Sequence, residues 1–354
     1  MKIEPEDLHR LPATPERLRH IAADLRLNEL AYSHALGVAG LRPDAAGWRR
    51  LLDLFLMVYG TTLILAGVAA FFAYNWAELH RLVKLVLLQA GVVTMVWLAW
   101  RRGLDSLAGR SALFGAAGLT GVLLAVYGQA YQTGADPYQL FLGWAVLAAG
   151  WAVIGRQPAL WLLLAALANL ALILYWVQVL HPQGWTGELA RFLGPLVWLA
   201  WTVADSRLAL LVFLLNASMV LIWELFAARG VVWMQGRWVP RVVSSVALAT
   251  VVPATLVWIF GGFTREGWLA AYALPMAYAA FTAACLWYYR TQRHDLYILA
   301  TCLLDGIIMI TGLIARVSGG DGEIALLLSF LVVGQTAAAA VWLRGTAQRW
   351  RDAA

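Results

Sequence analysis

From about residue 51 onward the chain is almost continuously apolar, interrupted every twenty or so positions by short clusters of charged, Gly, Pro or Asn residues. A helix rises 1.5 Å per residue, so about 20 apolar residues cross the roughly 30 Å of bilayer hydrocarbon with every backbone N–H and C=O satisfied inside the helix. Ten runs reach that length: 51–73, 83–100, 111–131, 138–155, 159–180, 207–227, 242–262, 268–289, 295–315 and 324–343. An eleventh, 192–204, contains Pro195 and ends at Asp205-Ser206-Arg207, and is short for a crossing. Residues 1–48 are patterned differently. Thr14, Pro15 and Glu16 read as N-cap, first helical position and first-turn acid of a helix with Leu18, Ile21, Ala22 and Leu25 on one face, and a second helix is expected from about Asn28 to Gly37 or Gly40. Two helices this short bury little surface, so the segment is expected to pack on the membrane part or on a partner. The predicted fold is all-α. It is a polytopic transmembrane helix bundle of about ten to eleven membrane helices preceded by a short cytoplasmic helical segment: residues 1–48, a first membrane bundle 49–180 and a second 181–354.

Composition supports the bilayer reading. Of 354 residues 62% are apolar and 13% charged, about half the charge of a soluble domain, and 15 of the 46 charged residues fall within the first fifty positions. The net charge of +6 is scattered in twos and threes beside apolar runs, which marks membrane topology rather than a nucleic-acid footprint. The expected surroundings are therefore the lipid bilayer and other membrane or periplasmic proteins, with no nucleic acid. With the N-terminus inside, eleven crossings would put Arg229, Arg237, Arg241, Arg290, Arg293, Arg344, Arg349 and Arg351 outside. If 192–204 dips in and returns, or lies at the interface, the same arginines become cytoplasmic and join Arg49, Arg50, Arg101, Arg102, Arg110 and Arg156. Ten crossings with both termini cytoplasmic is the preferred topology, and eleven the alternative. Cys285 and Cys302 sit inside apolar runs and read as small buried hydrophobes, so neither a disulfide framework, a metal site nor a cofactor is expected.

Phosphate-cradling, dinucleotide-binding, HExxH and GxSxG patterns are missing from the sequence. What carries information is a set of polar strings. Ala73-Tyr74-Asn75-Trp76 follows the first span. Tyr127-Gly128-Gln129-Ala130-Tyr131-Gln132-Thr133-Gly134-Ala135-Asp136-Pro137-Tyr138-Gln139-Leu140-Phe141 follows the third, and Gly155-Arg156-Gln157-Pro158-Ala159-Leu160-Trp161 the fourth. In these strings, over roughly residues 50–180, the chain resembles the bacterial predicted membrane proteins catalogued as domain of unknown function 2157. The resemblance implies a polytopic bacterial inner-membrane protein and brings no catalytic residue with it.

The N-in topology sends loops 74–82, 132–138 and 181–191 to the periplasmic face. Glu78, His80, Asp136, His181 and Glu188 then share one side of the bilayer, with Tyr74, Asn75, Gln129, Gln132 and Gln139 near the helix ends beneath them. Carboxylates and imidazoles that converge there would make a general acid/base pair; the plainer account is solvated loop charges, with Asp136-Pro137 starting a helix. Gln129 and Gln132, three apart, share a helix face that either lines a polar cleft or bonds a neighbouring helix. Asn169, Asn216 and Gln335 read as interhelical links, and the Gly115, Gly118, Gly121 stripe as a close-packing face. Glu224, near Arg229, reads as an interfacial end charge. Asp305, near the middle of its span, is the sharpest anomaly, because an ionisable group at that depth commonly faces a cavity or partner on an ion path. Three functions follow in order: a structural or interaction component of an envelope complex, a transporter or channel using Asp305, and a membrane-embedded enzyme with a periplasmic-face site near Glu78, His80 and Asp136.

Overall fold

A computed structural model describes residues 15–38, 45–74, 78–180, 205–261, 268–318 and 322–353. All regular structure among them is helical. The helices are α1 (Pro15–Asp24), α2 (Glu29–Val38), α3 (Ala45–Tyr74), α4 (Arg81–Arg102), α5 (Leu107–Ala130), α6 (Pro137–Gly155), α7 (Pro158–Tyr175, extended by one π turn to Leu180), α8 (Ser206–Ala228), α9 (Trp238–Gly261), α10 (Trp268–Thr291), α11 (Leu296–Val317) and α12 (Gly322–Ala353). Among the described residues nine helices are long and apolar enough to cross a membrane. α10 occupies the eighth predicted run, 268–289. The protein is a multi-pass helical membrane bundle. Thr14, Asn75, Trp76, His181, Glu188 and the short run 192–204 lie outside the described residues.

Local signals account for most boundaries. Asn28 accepts the Ala31 N–H and starts α2 one residue later than its own position. Asp205 and Asp295 each accept two backbone N–H groups at the first turns of α8 and α11. Between α6 and α7 the chain reverses in two residues. Arg156 takes a left-handed conformation (φ 46°) and its N–H closes on the Ala152 carbonyl, and Pro158 opens the next helix.

The chain forms two compact units. The first comprises residues 1–79 and 95–115. In it α1 packs on α2, and the turn between α4 and α5 is closed by Gly103 in a left-handed conformation, with Ser106 Oγ accepting the Gly109 N–H at 3.0 Å and Arg110 Nε donating to the Leu104 carbonyl at 2.7 Å.

The second unit comprises residues 80–94 and 116–354. Helix contacts in lipid rest on close packing and interhelical hydrogen bonds, because the hydrophobic effect does not distinguish a neighbouring helix from an acyl chain. Its interior accordingly holds many small side chains: Ala116, Ala117, Ala148, Ala152, Ala209 and Ala247 are fully or almost fully buried. At Gly121 a Cβ would run into the indole of Trp144, whose Nε1 donates to the Ala117 carbonyl at 2.8 Å. The glycine stripe is thus a seat for an aromatic ring as well as a close-packing face. α8 to α11 surround one core containing Phe213, Leu248, Val251, Leu274, Tyr289, Ile298 and Leu299, and α12 packs on α11.

Cross-helix pairs set the helix directions. Trp161 stacks on Trp233, Asn169 bonds Asn216, and Trp176 Nε1 donates to Asp205 Oδ2 at 2.9 Å, so α7 and α8 run antiparallel. Ser245 meets Tyr297, and Arg316 Nε reaches the Ile259 carbonyl, so α9 and α11 run parallel. Trp350 Nε1 donates to the Arg290 carbonyl at 3.1 Å. One end of this unit therefore gathers residues 156–161, 224–241, 288–297 and 342–350, and with them most of its arginines. The other end gathers 131–139, 175–178, 205 and 259.

Candidate functional site

The polar residues singled out near the first and third spans are exposed, and the structure brings some of them together. Gln129 and Gln139 line an open cavity of about 430 Å³ with Tyr127, Thr133 and Pro137. Gln139 Oε1 accepts the Asp136 N–H at 3.2 Å, so Asp136 and Gln139 are engaged as a helix start. Gln132 takes a left-handed φ of 45° in the turn. Arg81 sits 5.7 Å from the centre of the Tyr131 ring, and His80 Nδ1 accepts the Leu82 N–H at 3.3 Å, which places the start of α4 beside this cavity's rim. Tyr74 is 91% exposed and Glu78 is exposed as well. Among the described residues no group of three His, Cys, Asp or Glu side chains comes together as a metal site would require.

The densest chemistry lies at the arginine-rich end, and its main members were legible in the sequence only as topology signals. Glu224, in the last turn of α8, is 5% exposed. Glu224 is a paired end charge, but its partners come from distant segments rather than from Arg229. Arg237 Nη1 donates to Glu224 Oε1 at 2.8 Å, Tyr289 Oη donates to the same oxygen at 2.9 Å, and Tyr288 Oη reaches Oε2 at 3.4 Å. Arg237 Nε turns to Asp295 Oδ2 at 3.0 Å, and Arg241 Nε meets both Asp295 oxygens at 3.0 and 3.1 Å. Arg237 also lies over the Tyr289 ring at 5.2 Å. Desolvation works against the Arg237 charge, yet the Glu224 and Asp295 carboxylates outweigh it and hold its pKa above the ordinary arginine value. Arg237 Nη2 remains buried without a partner. Two carboxylates removed from water require such pairing, since an unpaired charge there costs several kcal/mol.

Asp305 stands apart. It is 9% exposed on the inward face of α11, one turn beyond Cys302, and its Oδ2 is buried with no hydrogen-bond partner. Across from it on α10 is Tyr278, and Thr282 Oγ1, buried beside Tyr278, makes no bond to a carbonyl of its own helix. That is unusual within this chain. Thr61, Thr94, Thr120, Thr250, Thr255, Thr291, Thr301 and Thr336 each donate to the carbonyl four residues earlier, the local bond available to any helical threonine. α9 and α10 also carry Pro253 and Pro275 in their interiors, each leaving one carbonyl without its helical donor.

With these placements in hand, the comparisons with known proteins add one result. Residues 19–161 match the family described as Predicted membrane protein (DUF2157). No curated protein and no solved structure matches the chain. The match to DUF2157 covers the polar strings from Tyr74 to Trp161 and assigns them no activity. Glu224, Arg237, Asp295 and Asp305 lie beyond it, so any role for them must be argued from their chemistry.

Proposed function

We propose that this protein is a multi-pass inner-membrane transporter or channel for a monovalent cation, with Asp305 as the residue that binds the ion. The observation that carries the reading is the buried, unpartnered carboxylate oxygen of Asp305 within the second unit. Placing an ionisable group there costs free energy that purely structural packing would not require, and a helix-linking role would leave its oxygens bonded to a neighbour, as Asn169 and Asn216 are. The buried Thr282 hydroxyl, which makes no bond to its own helix, and the proline-interrupted helices α9 and α10 support the reading. In this reading the arginine-rich end faces the cytoplasm, following the retention of basic loops, and the chain crosses ten times with a cytoplasmic N-terminus.

The test is ion movement into sealed vesicles containing the purified protein, driven by an imposed potassium diffusion potential and read with an entrapped pH dye or with radioactive sodium. Wild type passes one of the two ions, and Asp305→Asn lowers the rate at least tenfold while eluting as an intact protein in detergent. Equal rates for both would refute the assignment.

A second reading rests on the N-terminal arm. Leu25, just past α1, and Leu30 and Val38 on α2 are 66%, 80% and 78% exposed, a surface suited to contact with another envelope protein. Mass spectrometry of proteins retained through purification in mild detergent tests it. A stoichiometric partner that is lost with Leu30→Glu supports it, and a pure single species argues against it.

A further inference from the structure

Resting on the reading of Asp305 as an ion site, we propose that the ion is a proton and that it travels between Asp305 and Glu224 along one face of α10 through Tyr278, Thr282, Cys285 and Tyr289. These four residues are spaced 4, 3 and 4 apart, which is one stripe of a helix. Tyr278, Cys285 and Tyr289 are 9%, 5% and 1% exposed, and Thr282 buries its hydroxyl. An inward stripe in a membrane helix is ordinarily aliphatic or small. Here four consecutive members below Leu274 can each give and accept a proton.

Each end of the stripe lies toward a carboxylate. Tyr278 lies within electrostatic reach of Asp305 and beside the Thr282 hydroxyl. Cys285 faces Cys302 of α11 and shares one buried core with Tyr278 and Tyr289. Tyr289 Oη already donates to Glu224 at 2.9 Å, and Glu224 is bound to Arg237 at the edge of the bundle. The eleven helical steps from Tyr278 to Tyr289 rise about 16 Å, roughly half the hydrocarbon thickness, so the route is a half-channel from the interior to the arginine-rich end.

The transfer balances without any other reactant. Protonated Asp305 gives its proton to the Tyr278 oxygen as Tyr278 passes its own to Thr282. Thr282 passes one to the Cys285 sulfur, Cys285 one to Tyr289, and Tyr289 one to the Glu224 carboxylate. Asp305 ends deprotonated, Glu224 protonated, and every relay group holds one proton as before, needing only to rotate before the next transfer. The thiol pair in mid-route is what selects a proton over sodium. A hard cation needs several oxygen ligands at each station, whereas a thiol gives and accepts a proton but binds sodium poorly.

The experiment measures proton flux into vesicles holding the full-length protein under an imposed potential, alongside sodium uptake. Tyr289→Phe keeps the ring under Arg237 but removes the hydroxyl, and Thr282→Val removes the second hydroxyl. Each lowers proton flux at least tenfold, Thr282→Ser restores it, and Thr336→Val, on the exposed face of α12, stays within twofold of wild type. Full flux in Tyr289→Phe and Thr282→Val with Asp305→Asn inactive overturns the route and leaves the Asp305 site standing. Asp305-dependent sodium uptake without proton flux overturns the choice of ion. Unchanged flux in Asp305→Asn removes the site itself. Elution in detergent and the same thermal midpoint as wild type separate a blocked route from a misfolded variant.

Discussion

Asp295 offers the sharpest test of how the arginine-rich end is held together. Its side chain is fully buried, caps α11 through the Tyr297 and Ile298 N–H groups, and receives Nε of both Arg237 and Arg241. Replacing it with Ala removes two separable contributions. Loss of the N-cap costs about 1 kcal/mol. Leaving a buried partner unpaired costs about 3–5 kcal/mol in a fully enclosed pair, but the Arg237 and Arg241 side chains are 24% and 41% exposed, and water screening reduces that to about 1–2 kcal/mol. The total for Asp295→Ala is then about 2–3 kcal/mol. Asp295→Asn retains the cap oxygen and forfeits the charge alone, so it should lose only the second part. Thermal unfolding in mild detergent, followed by fluorescence of the 19 tryptophans, provides the measurement. The expected order is wild type, then Asp295→Asn, then Asp295→Ala. An Asp295→Ala protein that melts with wild type would refute the claim that this carboxylate organises the end of the bundle, and equal losses for the two variants would refute the cap contribution.

Three further outcomes are expected. Gly121→Ala pushes a methyl group into the Trp144 indole and should lower the thermal midpoint by an amount corresponding to at least 1 kcal/mol, whereas Gly143→Ala, in open space, should leave it unchanged. Asn216→Leu breaks the paired amides with Asn169 and should cost about 1 kcal/mol, with Asn169→Leu in the same chain recovering part of it, because the second change removes the stranded partner; a double-mutant cycle reports the coupling. In a background with Cys285 and Cys302 replaced by Ala, single cysteines at 235 and 292 should be labelled from one side of the membrane and a cysteine at 136 from the other. Labelling of all three from one side would contradict the helix directions found in the second unit.

Much of the fold was legible because the bilayer imposes a length. The apolar runs at 111–131, 138–155, 159–180, 207–227, 242–262 and 295–315 each became a helix within a few residues of the expected bounds. Asp136-Pro137 marked where α6 begins. Asp305 was also visible from sequence, since a lone carboxylate in an apolar run is anomalous wherever it points. Glu224 was visible, but its partner was not. Its nearest arginine in sequence is Arg229, while the one that binds it, Arg237, lies beyond an intervening turn of 3₁₀ helix, one residue before α9. Asp295 drew no notice at all, because a charge in a short polar loop looks like any solvated loop residue until two arginines from another segment close over it.

Sequence alone determined that this chain lives in a bilayer as a stack of helices and where most of them start and stop, because hydrogen-bond satisfaction in hydrocarbon and the rise per residue are local requirements. It also determined that Asp305 is costly. Which groups meet across helices was decided only in the tertiary structure: Glu224 with Arg237 and Tyr289, Asp295 with two arginines, Tyr278 near Asp305, and Cys285 with Cys302. Such meetings depend on the rotation and direction of each helix relative to its neighbours, and spacing along a single strand of sequence carries no information about either.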